Sequence, residues 1–505
     1  MRIVIWHGWL LEGSGSNVVT ARTAERLRAS GHDVLLLCQE PHPERFDWID
    51  AWGAVDGTTR SALTPNGSAG PASGRCVVLR PAIGPILPVF VLDPYEGFDD
   101  VRRFVDLDDD VLETYLGRNV EALRTAAAEH DPEVAIVGHA IPGAAIGRRA
   151  LGADRYVARI HGSDLEYAIR PQHRFRDLAA EGLLAAHAVL GPTREVLERC
   201  AELVPGVERL GRVVAPGVDV EAFHPLPRAD ALSDVADRLD TDPSTARGRG
   251  SSLDRDVAHA VAARDLAALD ALLERYDHDA PDPDAAARLR SLLDVPEPVV
   301  GYLGKLIPQK GVELLVQALA RLEHDARGLI VGFGAGRERL AALVHAIQRD
   351  DDDALAWLRD AAGLPVELDR RDPRRPIDVT FTGRLDHRYA PGAFAAMDVC
   401  VVPSVLEEAF GVVVAEAAAA GALPLVARHS GLAEVASVLE DEVDRPGLFS
   451  FEPGPGAVER IADGIDRLLR IPDEERRELG RRLREVVRTR WTWDRACDAL
   501  LDAAR

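Results

Sequence analysis

Short apolar runs of strand-forming residues recur along this chain, most of them closed by a glycine or a polar turn and followed by a helical stretch. That alternation commits the chain to α/β architecture, because parallel strands need a crossover, usually a helix, and the helices then cover the faces of the sheet. The pattern predicts strands at 2–6, 33–38, 134–138, 156–160, 188–191 and 212–215 in the first half. They recur at 299–303, 328–332, 378–382, 398–402 and 423–427 in the second. Two Rossmann-like, doubly wound units with parallel sheets follow, since 505 residues exceed what one core holds.

In open α/β sheets ligands bind at the carboxyl ends of the strands, and four such loops here carry chemistry. The run 403–421 sets Glu408 and Glu416 around a turn and a helix start, with Phe410, Gly411 and Val412 between them. Two turns of helix, at roughly 3.6 residues per turn, let Glu416 face the same cleft as Glu408. Gly411 lets a ligand approach the free N–H groups at the helix start, where anions are favoured. Carboxylates accept hydrogen bonds from sugar hydroxyls and helix-start amides suit phosphate, so the pair fits a sugar attached to phosphate.

The run 299–319 carries Lys305, Lys310 and Gly311 ahead of an amphipathic helix. Two cations and a helix start can neutralise a diphosphate with ammonium groups and amides in place of magnesium. The run 156–164 puts His161 and Asp164 at the end of another strand. The fourth is a Gly/Ser loop, 11–17, with Gly15, Ser16 and Asn17, which opens a helix ending near Gly31. Alone, His161 reads as a core histidine satisfied by a carbonyl; followed by Gly-Ser-Asp at a strand end it reads as functional. Glu407 stands beside Glu408, and one of the two is expected to be solvated.

In this order, the Gly/Ser loop, His161-Gly162-Ser163-Asp164, Pro216-Gly217-Val218-Asp219, Gly304-Lys305 with Lys310-Gly311, and Glu408/Glu416 followed by Ala433-Glu434-Val435 resemble the retaining glycosyltransferases of family 4. The resemblance covers most of the chain apart from two inserted stretches, 228–294 and 350–376. It implies the GT-B fold, two facing Rossmann-like domains. Residues 1–215, completed by a helix at about 485–505, would bind the acceptor, and 216–484 would bind the nucleotide sugar. The implied reaction is metal-independent, retaining transfer of a sugar from a UDP- or GDP-linked donor to an acceptor hydroxyl, with no cofactor and with both domains closing around it. Lys305 and Lys310 would bind the diphosphate, Glu416 the ribose, and Glu408 the hydroxyls of the transferred sugar. His161 would contact that sugar near the reacting centre. Gly15 and Ser16 would bring amides against phosphate or acceptor, with Asn17 and Asp164 on the acceptor side. The family usually has arginine where Lys305 stands, and a lysine keeps the charge without the bidentate fork. The Gly/Ser loop also departs from the double glycine common in relatives.

A formal net charge of −23 argues against a nucleic-acid partner. A lipid-linked acceptor needs only a local basic patch, which Arg170, His173, Arg174 and Arg176 could form, although a solvated helix face is the simpler account of them. A small sugar or a metabolite would serve equally as acceptor. No apolar run approaches the roughly 20 residues of a membrane span, and the start of the chain reads as a strand, not a signal peptide. A cytoplasmic protein is expected, with peripheral contact at the inner face of the membrane if the acceptor is lipid-linked. The five cysteines lack metal-ligand spacing and read as reduced core residues.

The stretch 228–294 reads as a mobile helical insertion, with a helical pattern over 258–273; it could cap the cleft or contact a partner, although an inert, solvated decoration is the simpler account. The shorter 350–376 is acidic and then basic. Residues from 472 onward read as one final helix that crosses back to the first domain. The run Gly332-Phe333-Gly334-Ala335-Gly336 invites a dinucleotide reading, but Arg337 stands where the third glycine would fall, so a tight turn near the nucleotide is expected. An NAD-dependent oxidoreductase would need a complete fingerprint after the first strand. A scaffold that kept the fold and lost catalysis is the other alternative. Asp386, after the strand ending at 382, could accept hydrogen bonds from a guanine edge, or it could be an ordinary loop aspartate.

Overall fold

The computed structural model describes residues 1–92, 95–367 and 377–505. The chain divides into two compact units, Met1–Gly217 with Trp491–Arg505, and Val218–Arg490. The basic half of the 350–376 stretch falls largely at 368–376, outside the described residues, while its acidic half forms the helix Asp352–Ala362, capped by Asp351.

The first unit contains β1 (Arg2–Trp6), β2 (Asp33–Leu37), β3 (Ala51–Asp56), β4 (Thr59–Arg60), β5 (Thr64–Pro65), β6 (Arg75–Pro81), β7 (Ile86–Val89), β8 (Asp100–Arg103), β9 (Val134–Gly138), β10 (Val157–Arg159), β11 (Ala188–Gly191) and β12 (Gly211–Val213). The main sheet runs β12-β11-β10-β9-β1-β2-β6-β3-β4, with β5 pairing β3 and a separate β7–β8 pair. From β12 to β3 every pairing is parallel. Parallel strands are covered on both faces and so are apolar throughout, as in the almost fully buried β1 and β9.

The predicted final helix is two helices, Asp473–Arg490 and Trp493–Ala503. Thr492 breaks it, because its side chain accepts from the Arg495 N–H and caps the second helix. That second helix packs on Gly15–Ala29, with Arg26 bound to Asp494, and it inserts Cys497, Leu500 and Leu501 into the core of the first unit. Gly217 makes room for it. A Cβ there would lie 2.3 Å from the Trp493 nitrogen.

The second unit holds β13 (Val299–Lys305), β14 (Arg327–Phe333), β15 (Asp378–Phe381), β16 (Val399–Val402), β17 (Leu423–Ala427) and β18 (Ser450–Phe451), all parallel, in the order β15-β14-β13-β16-β17-β18. The stretch 228–294 is not a solvated decoration. Its helix Arg228–Asp240 packs on Ala285–Arg290 and Ala390–Ala395, burying Leu232, Val235 and Leu239. The helical pattern over 258–273 breaks at Arg264, which adopts a left-handed conformation between Leu253–Ala263 and Leu266–Ala271. Arg249, 1% exposed, makes a two-pronged bond to Glu338 at 2.7 and 3.0 Å, and Tyr276 donates to the same carboxylate at 2.8 Å. Buried charges persist only when paired in this way, so the segment is welded to the start of the helix Arg337–Gln348.

Candidate active site

The carboxyl ends of β13 and β16 meet through two interlocked loops. After β13, a short turn Pro308–Lys310 leads through Gly311 into the helix Val312–Leu319. Gly311 has φ +63°, and a Cβ on it would lie 2.2 Å from the Pro403 carbonyl oxygen, so only glycine lets the loops approach. The Val405 N–H closes the contact by donating to the Gln309 carbonyl at 3.0 Å. Lys310 Nζ then reaches Glu408 Oε1 in an ion pair. The same oxygen accepts from Ser404 Oγ at 2.7 Å, and the Glu408 N–H donates to Ser430 Oγ at 2.9 Å. Burial pushes the Glu408 carboxyl up, but the Lys310 charge and the two hydrogen bonds outweigh it and hold it below the usual range. Glu407 is the exposed member of the pair.

His429 and Ser430, which no sequence signal marks, brace this corner. His429 Nε2 lies 2.7 Å from the Ser404 carbonyl and must donate to it, leaving Nδ1 to accept from Ser430 Oγ at 3.1 Å. Ser430 Oγ is thereby fixed as acceptor for the Glu408 N–H. Beyond Glu408, Phe410 is buried and Gly411 turns with φ +79° into the helix Val412–Ala420. Among the described residues no side chain caps that helix, and while the Val414 N–H donates to the Gly411 carbonyl at 2.8 Å, the N–H groups of Val412 and Val413 stand at a helix start that favours an anion. Glu416 is buried along it, 7% exposed.

Lys305 ends β13 in register with Phe333 at the end of β14. The glycine run after β14 has a steric cause. A Cβ at Gly332 would lie 2.1 Å from the Gly304 carbonyl, and at Gly334 or Gly336 2.8 Å from that of Leu306. The run therefore lets the β13 and β14 loops nest, as a tight turn and not a dinucleotide cradle. Asp386 sits in the loop after β15, and its carboxylate is taken by Arg388, with Nη2 at 2.7 Å. Burial would raise Asp386, and the Arg388 bonds outweigh it and lower it.

In the first unit, Ser14 caps the helix Gly15–Ala29 and accepts from the Asn17 N–H. Gly15 and Ser16 stand at its start, and nothing lies within 4 Å of where a Gly15 Cβ would be. Asn17 and Asp164, expected on the acceptor side, point inward instead. Asn17 is 3% exposed, with Oδ1 2.9 Å from His7 Nε2. Asp164 is fully buried and accepts from the N–H groups of Ala140, Gly162 and Leu165 at 2.6, 3.0 and 3.1 Å. It braces the loops after β9 and β10.

Those loops bring His161 against His139, with ring centroids 4.5 Å apart, and His7 from the end of β1 lies 6.2 Å from His139. Among the described residues, Nε2 of His161 and both ring nitrogens of His139 are buried with no hydrogen-bond partner, and His139 Nδ1 lies 3.6 Å from Asp164 Oδ2. Burial, helped by the neighbouring His139, holds His161 well below its ordinary pKa and His7 down at about 3, so both are neutral. A cavity of about 10 Å³, room for one water, lies against Thr20, Thr23, Arg159 and His161. The arginines of the possible basic patch are engaged within the unit: Arg170 pairs with Glu166, Arg174 with Asp109, and Arg176 donates to the Arg170 carbonyl.

Residues 297–470, which contain all these loops of the second unit, match the family described as glycosyl transferases group 1. A GDP-mannose-dependent α-(1-6)-phosphatidylinositol monomannoside mannosyltransferase of Mycobacterium tuberculosis is 27% identical over 397 residues, 76% of this chain and 78% of that one. A D-inositol 3-phosphate glycosyltransferase of Mycobacterium bovis is 30% identical over 45% of this chain and 40% of its own length. The chain is a glycosyltransferase. Sucrose-phosphate synthase from Thermosynechococcus elongatus is similar to this glycosyltransferase in structure, with TM-score 0.58, 19% identity, and 99% and 97% of the two chains covered. So is Anabaena HepE in complex with UDP and glucose, with TM-score 0.57, 14% identity and 99% of each chain. The fold of the glycosyltransferase is GT-B. No helix among its described residues is long and apolar enough to cross a membrane.

Proposed function

We propose that this glycosyltransferase is a family 4 member that moves a sugar from a nucleoside diphosphate to an acceptor hydroxyl with retention of configuration and without a metal. The observation that carries the reading is the ion pair of Lys310 and Glu408 beside an uncapped helix start, which offers a cation and amides for a diphosphate and a carboxylate for sugar hydroxyls. As the bond from the anomeric carbon to the phosphate oxygen breaks, charge gathers on the leaving diphosphate. Lys305, Lys310 and the first amides of Val412–Ala420 stabilise it. The acceptor oxygen bonds to the anomeric carbon on the face being vacated, and its proton passes to the departing phosphate oxygen. Glu408 holds the sugar, Glu416 the ribose, and the neutral imidazole of His161 meets an uncharged hydroxyl. The mannosyltransferase relative uses GDP-mannose and acts on a phosphatidylinositol mannoside. A GDP-linked hexose and a lipid-linked acceptor at a membrane surface are therefore the first pair to try.

The test is a thermal-stability titration of the full chain with GDP, UDP and ADP, with and without magnesium. A ligand bound to the folded state alone stabilises it by mass action. One nucleotide should raise the melting temperature whether or not magnesium is present, and Glu416→Ala or Lys310→Ala should abolish the rise. A rise that required magnesium would remove metal independence, and no rise with any nucleotide would remove the donor assignment.

A further inference from the structure

The loop after β15 is gripped at both ends by the 228–294 segment. At its start, Pro281 forms an antiparallel bridge with Gly383. The Asp282 N–H donates to the Thr382 carbonyl at 2.8 Å, and the Arg384 N–H donates to the Ala280 carbonyl at 3.2 Å. Gly383 has φ +71°, and a Cβ there would lie 2.6 Å from the Asp282 nitrogen, while its own carbonyl accepts from the Gly332 N–H at 3.0 Å. At its far end, the Asp242 carboxylate accepts from Tyr389 Oη at 2.7 Å and from Arg388 Nη2 at 3.4 Å. Asp242 is itself held by the N–H and hydroxyl of Ser244 at 2.9 and 2.6 Å.

The position of this loop gives the grip a meaning. β15 lies two strands from β13, roughly 10 Å at ordinary strand spacing. That is about the reach from the diphosphate of an extended nucleotide to its base. With the diphosphate at Lys305 and Lys310, the base falls at the β15 loop, whose Asp386–Arg388 pair offers acceptors and donors to a base edge.

We propose that the 228–294 segment is a specificity element of the donor site: by fixing both ends of the 382–389 loop through Ala280–Asp282 and Asp242, it sets which nucleoside diphosphate is accepted. Asp242 and Tyr389 are positioning residues, acting through Arg388 and the loop. The inference rests on the donor-site reading above.

The experiment is calorimetric titration of the full chain with GDP, UDP, ADP and inorganic pyrophosphate, for wild type, Tyr389→Phe and Asp242→Asn. Both variants should bind the preferred nucleoside diphosphate about 5- to 20-fold more weakly and prefer it less over the other two. Pyrophosphate, which has no base, should bind as in wild type, and so should the unfolding temperature stay unchanged. Tyr389→Phe loses one hydroxyl and carries the test if Asp242→Asn fails to fold. A wild-type chain that binds one nucleotide, with both variants unchanged or with pyrophosphate weakened equally, would overturn this inference alone. A wild-type chain that binds none would overturn the donor-site reading and this inference with it.

Discussion

At the carboxyl ends of β13 and β16, charges meet in pairs and glycines stand where any Cβ would strike a backbone oxygen, as at Gly311 and Gly332. At the carboxyl ends of β1 and β10, the imidazoles of His7 and His161 are neutral, and the glycines of the first loop, Gly13 and Gly15, have nothing within 4 Å of a would-be Cβ. The same residue type thus answers two demands. Gly311 and Gly332 are required by the fold itself, whereas Gly15 leaves room that the protein does not fill. The electrostatics divide likewise. One region sets the Lys310 cation against the Glu408 carboxylate, and the other keeps His7 and His161 uncharged.

The contrast breaks first at Lys310. Lys310→Ala should lower kcat/KM by at least about 10³-fold, about 4 kcal/mol, and also lower the urea midpoint, because Glu408 loses the charge that pairs it; near-normal turnover would leave the charged region without its part in catalysis. Gly311→Ala should destabilise the chain by about 3 kcal/mol, from left-handed strain plus the clash with Pro403, read as a fall in the same midpoint.

The pH responses of the two regions should oppose each other. Burial pushes the Glu313 carboxyl up to about 7. The folded state then keeps a proton that the unfolded chain loses from about pH 4.5, so stability falls as pH rises through 4.5 to 7. The full cost above that window is about 3 kcal/mol. His7 has the opposite sign. Held at about 3 in the fold, it stays neutral while the unfolded chain protonates below about 6.5, so its contribution is lost as pH falls, by about 1.4 kcal/mol per pH unit. Amide exchange at pH 7.5 and 5.5, corrected for intrinsic rates, should show the helix Val312–Leu319 better protected at the lower pH and β1 and β9 less so. Parallel changes in both would refute the division. The smallest effect belongs to Gly15→Ala, which should leave stability within about 0.5 kcal/mol and reduce kcat/KM about tenfold.

Much of the fold was legible because a parallel strand buried on both faces is a continuous apolar run: β1, β9, β11 and β17 begin and end where the sequence places them. The strands between Ala51 and Arg103 were not, since glycine, proline and arginine interrupt them and their pairing is decided by neighbours elsewhere in the chain. Lys310 and Glu408 could each be picked out from a strand–loop–helix context. Their bond, and the support from His429 and Ser430, arises only where separate loops converge. His7 and His139 escaped notice for the same reason, since three strands bring them to His161. Local sequence also reads 228–294 as loose, because its anchors are single arginines and aspartates whose partners, such as Glu338, lie in another part of the unit.

The packing of Trp493–Ala503 into the first unit bears on how the protein is made. Cys497, Leu500 and Leu501 belong to a core whose other members come from residues before Gly217. A ribosome delivers them only after the whole of the second unit. The first unit emerges early yet waits, with an apolar groove open along Gly15–Ala29, until residues 491–505 arrive to close it. A chain stopped near residue 490 would release a complete second unit joined to a first unit that still exposes that groove, the kind of surface that drives aggregation during synthesis.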